Sequence, residues 1–308
     1  MDNVNPLFFP LLYFLGSATL LSIVLASLLS IMHRDDPDKV KKTIWMKLAI
    51  LLTLVLILVG TGSLGKWGLL PVVLFLAYWG WRELLQCIEQ KYGRVSSSIL
   101  ITGLGILGVL GGLGETLFAI FWSVIIASWA AFALPMLYHL KPPRMHSILG
   151  TALGMMLITI PLAILLAMVN TSYGEFSLLV FLVMGNDGFS QGVGLMLGKT
   201  PLVPSISPGK TLEGSLGGLF ACLVLGYLSQ FLVPEWHLWQ VLLVSGTVSL
   251  LSQCGDLLTS SLKREAGIKD FGHVLLVTGG VLDKFDSLLF TIPIYWFICQ
   301  CLARFYVN

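Results

Sequence analysis

Apolar residues occur along this chain in runs of about 20, separated by short polar segments. A helix of that length crosses the ~30 Å hydrocarbon core of a bilayer. About ten spans are predicted in this way, with limits at 8–32, 44–61, 67–86, 98–113, 117–139, 146–168, 176–197, 213–233, 238–258 and 281–303. The pattern therefore predicts an all-α fold, a polytopic transmembrane helix bundle. The fourth span is short and glycine-rich, which predicts either a tilted helix or close packing against a neighbouring helix.

Composition agrees with lipid as the main solvent. Hydrophobic residues make up 56% of the chain and charged residues 11%, whereas an average soluble domain carries about 25% charged residues. The net charge of +2 gives no sign of a nucleic-acid partner, and we expect none. The five cysteines lack paired C-x-x-C spacing, so we interpret them as small apolar side chains.

Basic residues are distributed unevenly between the two sides of the predicted bundle. Fifteen Lys and Arg residues lie at or near the loops that follow odd-numbered spans, against Lys66 and Arg304 on the other side. Because cytoplasmic loops are enriched in Lys and Arg, this asymmetry predicts that both termini face away from the cytoplasm. We expect an integral protein of the inner (cytoplasmic) membrane with its active site on the cytoplasmic face.

Acidic residues of the C-terminal half lie inside or at the edge of predicted spans. They are Asp187, Glu213, Asp256, Asp283 and Asp286. A charge at the bilayer centre costs ~2.5–3.5 kcal/mol or more, so such residues are candidates for function. Their hard oxygen atoms suit Mg²⁺, and the i, i+3 spacing places Asp283 and Asp286 on one helix face. The alternative is a structural ion pair of these two with Lys284.

The segment 206–214 contains the triplet Gly-Lys-Thr. It is not a P-loop, because Pro204 stands where that motif needs its first glycine. We predict a turn followed by a helix that opens at Thr211 and Glu213, with an N-terminus that favours an anion. Lys210 is a candidate phosphate contact, and a surface lysine beside an ordinary helix cap is the alternative.

Asn186 and Asp187 lie within an apolar run. Polar residues at 186, 187, 190 and 191 share one helical face. This face predicts either metal coordination or hydrogen bonding to a neighbouring helix, and both interpretations stay open.

Four segments resemble one known family when taken in order. They are NDGFSQGVGLMLGK (186–199), SISPGKTLEGSLGG (205–218), CGDLLTSSLKREAGIKDFG (254–272) and GGVLDKFDSLLF (279–290). Over roughly 181–289 the chain resembles the phosphatidate cytidylyltransferase (CDP-diacylglycerol synthase) family. Two departures from the family's motif are Leu276-Val277-Thr278 in place of Pro-Gly-His, and Lys284 in place of Arg.

The resemblance implies transfer of CMP from CTP to phosphatidate, giving CDP-diacylglycerol and pyrophosphate with Mg²⁺ as cofactor. A second cation and a homodimer are left open, and the expected partners are CTP, phosphatidate or a related lipid phosphate, and membrane lipids. The implied catalytic residues are Asp256, Asp283, Asp286, Lys263 and Lys269, and Asp187 joins the three aspartates as a metal ligand. The implied substrate-binding residues are Asn186, Ser207, Lys210, Thr211, Glu213, Ser260, Arg264, Asp270, Gly279, Gly280 and Lys284.

Two other functional classes stay open. One is a CTP-dependent kinase of a lipid alcohol such as a polyprenol or phytol, and the other is a non-catalytic protein, either an ion transporter or a degenerate paralogue. We expect residues 1–140 to form a transmembrane scaffold and 141–308 the catalytic domain. Glu83 and Glu115 are the exceptional acids of the scaffold spans, and we expect Gln at either position to leave turnover within a few-fold.

Overall fold

Helices form nearly all of the part of the chain that the computed structural model describes, namely residues 5–13, 16, 37–95, 97–137, 145–272 and 279–305. Residues 8–13 are helical. The longer helices are α1 Pro37–Gly62, α2 Gly65–Tyr92, α3 Ser98–Val109, α4 Leu117–Leu137, α5 Met145–Gly154, α6 Ile160–Thr171, α7 Tyr173–Leu197, α8 Leu212–Leu228, α9 Leu238–Glu265 and α10 Leu282–Phe305. A 3₁₀ turn at Leu110–Gly114 extends α3, a second at Gln230–Leu232 follows α8, and a π-helical turn at Met155–Thr159 joins α5 to α6.

Within the described residues, six helical segments are long and apolar enough to cross a membrane. They are Gly65–Tyr92, Leu117–Leu134, Met145–Thr171, Tyr173–Leu197, Leu238–Glu265 and Leu282–Ala303. Three shorter apolar helices coincide with the second, fourth and eighth predicted spans. The first predicted span, 8–32, lies mostly outside the described residues. The chain is thus an all-α integral membrane protein in its main architecture, and the count of ten spans stays a prediction.

A small β-hairpin lies between α7 and α8, where the sequence predicted a turn and no strands. Strand β1, Pro201–Val203, pairs antiparallel with β2, Ser207–Thr211. The prolines of this segment cannot continue a helix, and strand pairing satisfies the backbone groups that a helix would otherwise bond. The hairpin places Lys210 immediately before α8.

Glycines allow the N-terminal helices to approach closely around Trp81, which is fully buried. A Cβ added at Gly105 of α3 would lie 2.2 Å from the Trp81 Nε1 atom. The indole Nε1–H donates to Thr159 Oγ1 at 3.1 Å, and the Thr159 hydroxyl donates to the Gly105 carbonyl at 3.1 Å. The predicted close packing of the glycine-rich fourth segment is confirmed.

The C-terminal helices bring their polar ends together. Helix α8 packs against α7 and α9, and α9 packs against α10. Because consecutive helices reverse direction, the end of α7, the start of α8, the end of α9 and the start of α10 share one end of the bundle. The end of α2 is also there, since Lys91 pairs with Glu265 of α9.

The opposite end of α2 contains Lys66, a basic residue of the predicted non-cytoplasmic side. Its ammonium group donates to Glu115 Oε1 at 2.5 Å and to the Leu113 carbonyl at 3.2 Å. Lys66 therefore lies at the opposite end of α2 from Lys91, and so at the opposite end from Lys263 and Arg264 of α9. This is the distribution that the charge asymmetry predicts.

This separation predicts a sidedness that labelling can measure. In a variant lacking the five native cysteines, Lys269→Cys should react with a membrane-impermeant thiol reagent from the cytoplasmic side. Thr116→Cys, exposed next to Glu115, should react from the other side. Labelling of both positions from one side, or the reverse pattern, would contradict the predicted orientation.

Candidate active site

A buried ion pair joins α9 to the first turn of α10. The Lys263 ammonium donates to Asp283 Oδ1 at 2.7 Å, and the two side chains are 10% and 6% exposed. The same ammonium lies 5.2 Å from the centroid of the Phe271 ring, within cation–π range. The Lys263 ammonium is therefore fixed by two contacts, with the Asp283 carboxylate and with the Phe271 ring.

The second carboxylate oxygen of Asp283 organises the loop that precedes α10. Asp283 Oδ2 accepts hydrogen bonds from the backbone N–H groups of Phe271 and Gly280, each at 2.9 Å. Both oxygens of Asp283 are thus engaged by protein donors. Gly279 has φ +102°, and a Cβ there would lie 3.0 Å from Asp283 Oδ2. A side chain at Gly279 would therefore be strained, so this turn favours glycine.

Three other carboxylates converge from three helices. Asp286 of α10 is 6% exposed, and its Oδ2 accepts from the Thr259 hydroxyl at 2.7 Å. Asp187 of α7 accepts from the Ser252 hydroxyl at 2.9 Å. Asp256 lies between Ser252 and Thr259 on α9, about one turn from each, so Asp187 and Asp286 both reach the part of α9 that carries Asp256. Carboxylates gathered in this way repel one another. A cation bound between them would relieve that repulsion.

The donor set suits Mg²⁺ in its chemistry, although its geometry is not a closed cage. Within the described residues, no three His, Cys, Asp or Glu side chains surround one metal position. Mg²⁺ characteristically takes one or two protein carboxylates and completes its shell with water and substrate phosphates. Asp286 accepts only from uncharged donors, the Thr259 hydroxyl and the Ser287 N–H, and Asp256 pairs with a more exposed lysine. Both therefore fit that requirement better than Asp283, which is already paired with a buried ammonium.

The hairpin contributes a half-buried cation to the site. The Lys210 ammonium lies 2.6 Å from Asp256 Oδ2, and these side chains are 24% and 38% exposed. The Ser260 hydroxyl, 3.4 Å from Asp256 Oδ1, is the weaker contact on the other oxygen. Arg264 fixes the hairpin to the end of α9 by donating from Nε to the Ile206 carbonyl at 3.3 Å.

Thr211 and Glu213 have structural partners at the start of α8. Thr211 is the N-cap, and its hydroxyl accepts from the Gly214 N–H at 3.2 Å. The Glu213 carboxylate accepts from the backbone N–H groups of Lys199 and Thr200. The predicted helix start is confirmed. The Glu213 carboxylate binds the loop that follows α7 through these two backbone N–H groups.

Asn186 is buried in a polar network between α7 and α9. Its Nδ2 donates to Ser252 and Asp187, and its Oδ1 accepts from Ser249 at 2.7 Å and Gln253 at 3.5 Å. These contacts use the full hydrogen-bonding capacity of a carboxamide. Of the two interpretations left open for this face, hydrogen bonding to a neighbouring helix describes Asn186, and its role in substrate binding stays a prediction.

Several predicted site residues lie at the margin of this cluster. Lys269 and Asp270 are exposed in the loop after α9, Ser207 begins β2, and Lys284 is half-buried on α10. The motif departures at 276–278 lie outside the described residues. The predicted set thus divides into a core on α7, α9, α10 and the hairpin, and an exposed periphery.

Sequence reasoning missed residues that hold the core carboxylates. Ser249, Ser252, Asp256, Thr259 and Lys263 recur at intervals of three or four along α9, and this spacing marks one helical face. That periodicity could have identified the Ser252 and Thr259 hydroxyls as partners. A further missed residue, Glu83 of α2, contacts the start of α10 and is described below.

Comparison with known proteins gives an independent view. The cytidylyltransferase family model matches residues 40–302. An uncharacterized protein, YnbB, of Escherichia coli (strain K12) is 31% identical over 204 residues, which cover 66% of this chain and 60% of that protein. Two proteins called phosphatidate cytidylyltransferase are 43% identical (Staphylococcus haemolyticus) and 44% identical (Staphylococcus aureus, strain COL) over 102 residues. Each of these matches covers 33% of this chain and 39% of the relative. The chain therefore spans 60% or less of the length of each of these relatives.

The Asp283 contacts predict a difference in stability between two carboxylates of the site. Asp283→Asn leaves the buried Lys263 ammonium without its counter-charge, and breaking such a pair costs about 3–5 kcal/mol. Asp256→Asn breaks a more exposed pair, worth about 0–1 kcal/mol. Thermal unfolding in detergent, followed by tryptophan fluorescence, should show a much larger drop in Tm for Asp283→Asn. Equal, small drops would show that Asp283 does not anchor α10.

Proposed function

The chain belongs to the cytidylyltransferase family, and on that premise we propose that it transfers CMP from CTP to phosphatidate. The products would be CDP-diacylglycerol and pyrophosphate. The observation that carries the proposal is that Asp187, Asp256 and Asp286 meet Lys210 and Lys263 along the last turns of α9, at one end of an apolar bundle. Such a site brings carboxylates for a metal ion and cations for phosphates to a surface that a lipid can reach.

The proposed reaction requires little acid–base chemistry from the protein. A phosphate oxygen of phosphatidate would attack the α-phosphorus of CTP, and the bond from that phosphorus to the bridging oxygen of the pyrophosphate group would break. The attacking oxygen is already anionic near neutral pH, so no general base is needed. Catalysis then depends on alignment of the two phosphates and on neutralisation of their charge.

Asp256 and Asp286 are the proposed ligands of Mg²⁺, with Asp187 beside them. Bound there with substrate phosphates, Mg²⁺ would act as a Lewis acid that stabilises charge on the α-phosphate and the leaving group. A second cation stays open. Asp283 is proposed to act through Lys263, which it holds in place.

The cations of the site have different proposed tasks. Lys263 is buried and fixed by Asp283, so it would present a stationary positive charge to the reacting phosphates. Lys210 is more exposed and could exchange the Asp256 carboxylate for a CTP phosphate as the nucleotide enters. Lys269 and Arg264, exposed at the end of α9, would attract the triphosphate from the aqueous side.

An apolar cavity supports a lipid as the second substrate. It has a volume of about 340 Å³ and is lined by residues of α1, α2 and α10, including Leu58, Phe75 and Phe285. Val281 and Phe285 line it and stand on either side of Asp283 in the sequence. An acyl chain held there would keep its phosphate near the carboxylate cluster. We propose that this end of the bundle faces the cytoplasm at the inner membrane, from which CTP would arrive.

The proposal predicts large losses of turnover at two carboxylates. With CTP, phosphatidate and Mg²⁺, the purified protein should release pyrophosphate and form a CDP-lipid. Asp256→Asn and Asp286→Asn should each reduce turnover at least about a hundredfold, since losing one charge-stabilising group costs ~2.7–4 kcal/mol in comparable sites. The matched control is Glu265→Gln, which removes an exposed carboxylate paired with Lys91 at the same end of α9.

The control variant should keep near-normal turnover, because exposed ion pairs contribute little. Near-normal turnover in Asp256→Asn or Asp286→Asn, at unchanged Tm, would remove that residue from the proposed metal site. Release of CDP with a lipid alcohol, and no pyrophosphate with phosphatidate, would replace this proposal by a lipid kinase.

A further inference from the structure

Glu83 connects the N-terminal half of the bundle to the start of α10. It lies on α2 and is 1% exposed. Its Oε1 accepts from the Val281 N–H at 2.9 Å, and its Oε2 accepts from the Leu282 N–H at 2.7 Å. The latter contact spans 199 residues of sequence. Glu83 therefore has a specific contact with the C-terminal half, which the sequence did not predict. The expectation that Gln at this position leaves turnover within a few-fold stays untested, and this contact argues against it.

The contact is a helix cap supplied by a different helix. The first N–H groups of a helix have no partner within it. A carboxylate that accepts from them also interacts favourably with the positive end of the helix dipole. Since Leu282 is the first residue of α10, Glu83 satisfies the N–H groups at the point where that helix begins.

Two glycines form the space that the Glu83 carboxylate occupies. A Cβ added at Gly280 would lie 2.5 Å from Glu83 Oε2, and a Cβ added at Gly272 would lie 2.7 Å from Glu83 Oε1. Side chains at either position would displace the carboxylate. Two positions of the segment that joins α9 to α10 therefore leave room for the carboxylate only because they are glycine.

The capped residues directly precede the acidic face of α10. Asp283 follows Leu282, and Asp286 lies one turn further along the same face. Any shift of the first turn moves both side chains together. We propose that Glu83 is a positioning residue for cytidylyl transfer, because its carboxylate fixes the first turn of α10 and thereby places Asp286 opposite Asp256. This inference rests on the proposed function for its kinetic part and on the cap geometry for its structural part.

The test compares Glu83→Gln with Glu115→Gln. Gln at 83 keeps one acceptor oxygen but turns an NH₂ group toward a backbone N–H, so one cap bond is lost. A displacement of about 1 Å in a reacting group can cost about a hundredfold, so we expect kcat to fall by about ten- to a hundredfold with a smaller change in KM for CTP. Glu115 also bonds across helices, to Lys66 and Asn170, but at the opposite end of α2. Glu115→Gln should leave kcat within a few-fold.

Hydrogen–deuterium exchange supplies a readout that is independent of activity. Residues 279–286 should exchange faster in Glu83→Gln than in the wild type, and at the wild-type rate in Glu115→Gln. Unchanged exchange together with normal kcat in Glu83→Gln would overturn the positioning role. Faster exchange in a protein whose wild type forms no CDP-lipid would support the cap and contradict the proposed function.

Gly272→Ala provides a second variant that retains the carboxylate. The added methyl group should displace Glu83 and reproduce the loss in kcat and the faster exchange at 279–286. Because both substitutions would act through one contact, the double variant should be little worse than the more impaired single variant. Fully additive losses, or wild-type behaviour of Gly272→Ala, would contradict the proposal. If Glu83→Gln fails to accumulate, Gly272→Ala measured against the wild type and Glu115→Gln decides the question, by kcat and by exchange at 279–286.

Discussion

A carboxylate buried in an apolar bundle must find hydrogen-bond donors or a cation, and this constraint shapes the C-terminal half of the molecule. An unpaired charge there is costly, so each acidic side chain holds a partner on another element. Asp283 holds Lys263 of α9, and Asp286 holds the Thr259 hydroxyl. Asp187 reaches across to α9 in the same way. The contacts that neutralise or hydrogen-bond these carboxylates are therefore also contacts that hold the helices together.

The constraint also separates two kinds of carboxylate. Glu83 and Asp283 use both oxygens on backbone N–H groups or on a buried lysine, and their effect is to fix the start of α10. Asp256 is more exposed and forms an ion pair with Lys210 of the hairpin. The first kind gives rigidity, and the second is available to an incoming cation or phosphate. A site for phosphoryl-type transfer needs both, because positioning and charge neutralisation supply most of its catalysis.

Local chemistry in the sequence predicted several elements well. The spacing of Asp283 and Asp286 and the helix start at Thr211 both depend on residues within a few positions of one another. The apolar runs gave the helical membrane architecture for the same reason, although three of the segments are shorter than a typical span.

Contacts between distant segments could not be predicted. The donors that face Glu83 are backbone N–H groups of Val281 and Leu282, which every non-proline residue carries. The sequence places Glu83 inside the predicted span 67–86 and Glu115 between two predicted spans, but it does not show which groups either carboxylate meets. The packing of α2 against the start of α10 decides that for Glu83. The hairpin depends likewise on pairing across its own turn, and the network around Asn186 depends on which face of α9 meets α7.

The central claim is that the carboxylate cluster transfers the α-phosphoryl part of CTP, with its nucleoside, to a lipid phosphate. Separate incubations of the purified protein with phosphatidate, Mg²⁺ and CTP labelled at the α- or the γ-phosphorus test this most directly. The account predicts that the α-label enters the lipid fraction and that the γ-label leaves as pyrophosphate. A γ-label in the lipid fraction, or no transfer of either label to any lipid acceptor, would contradict it.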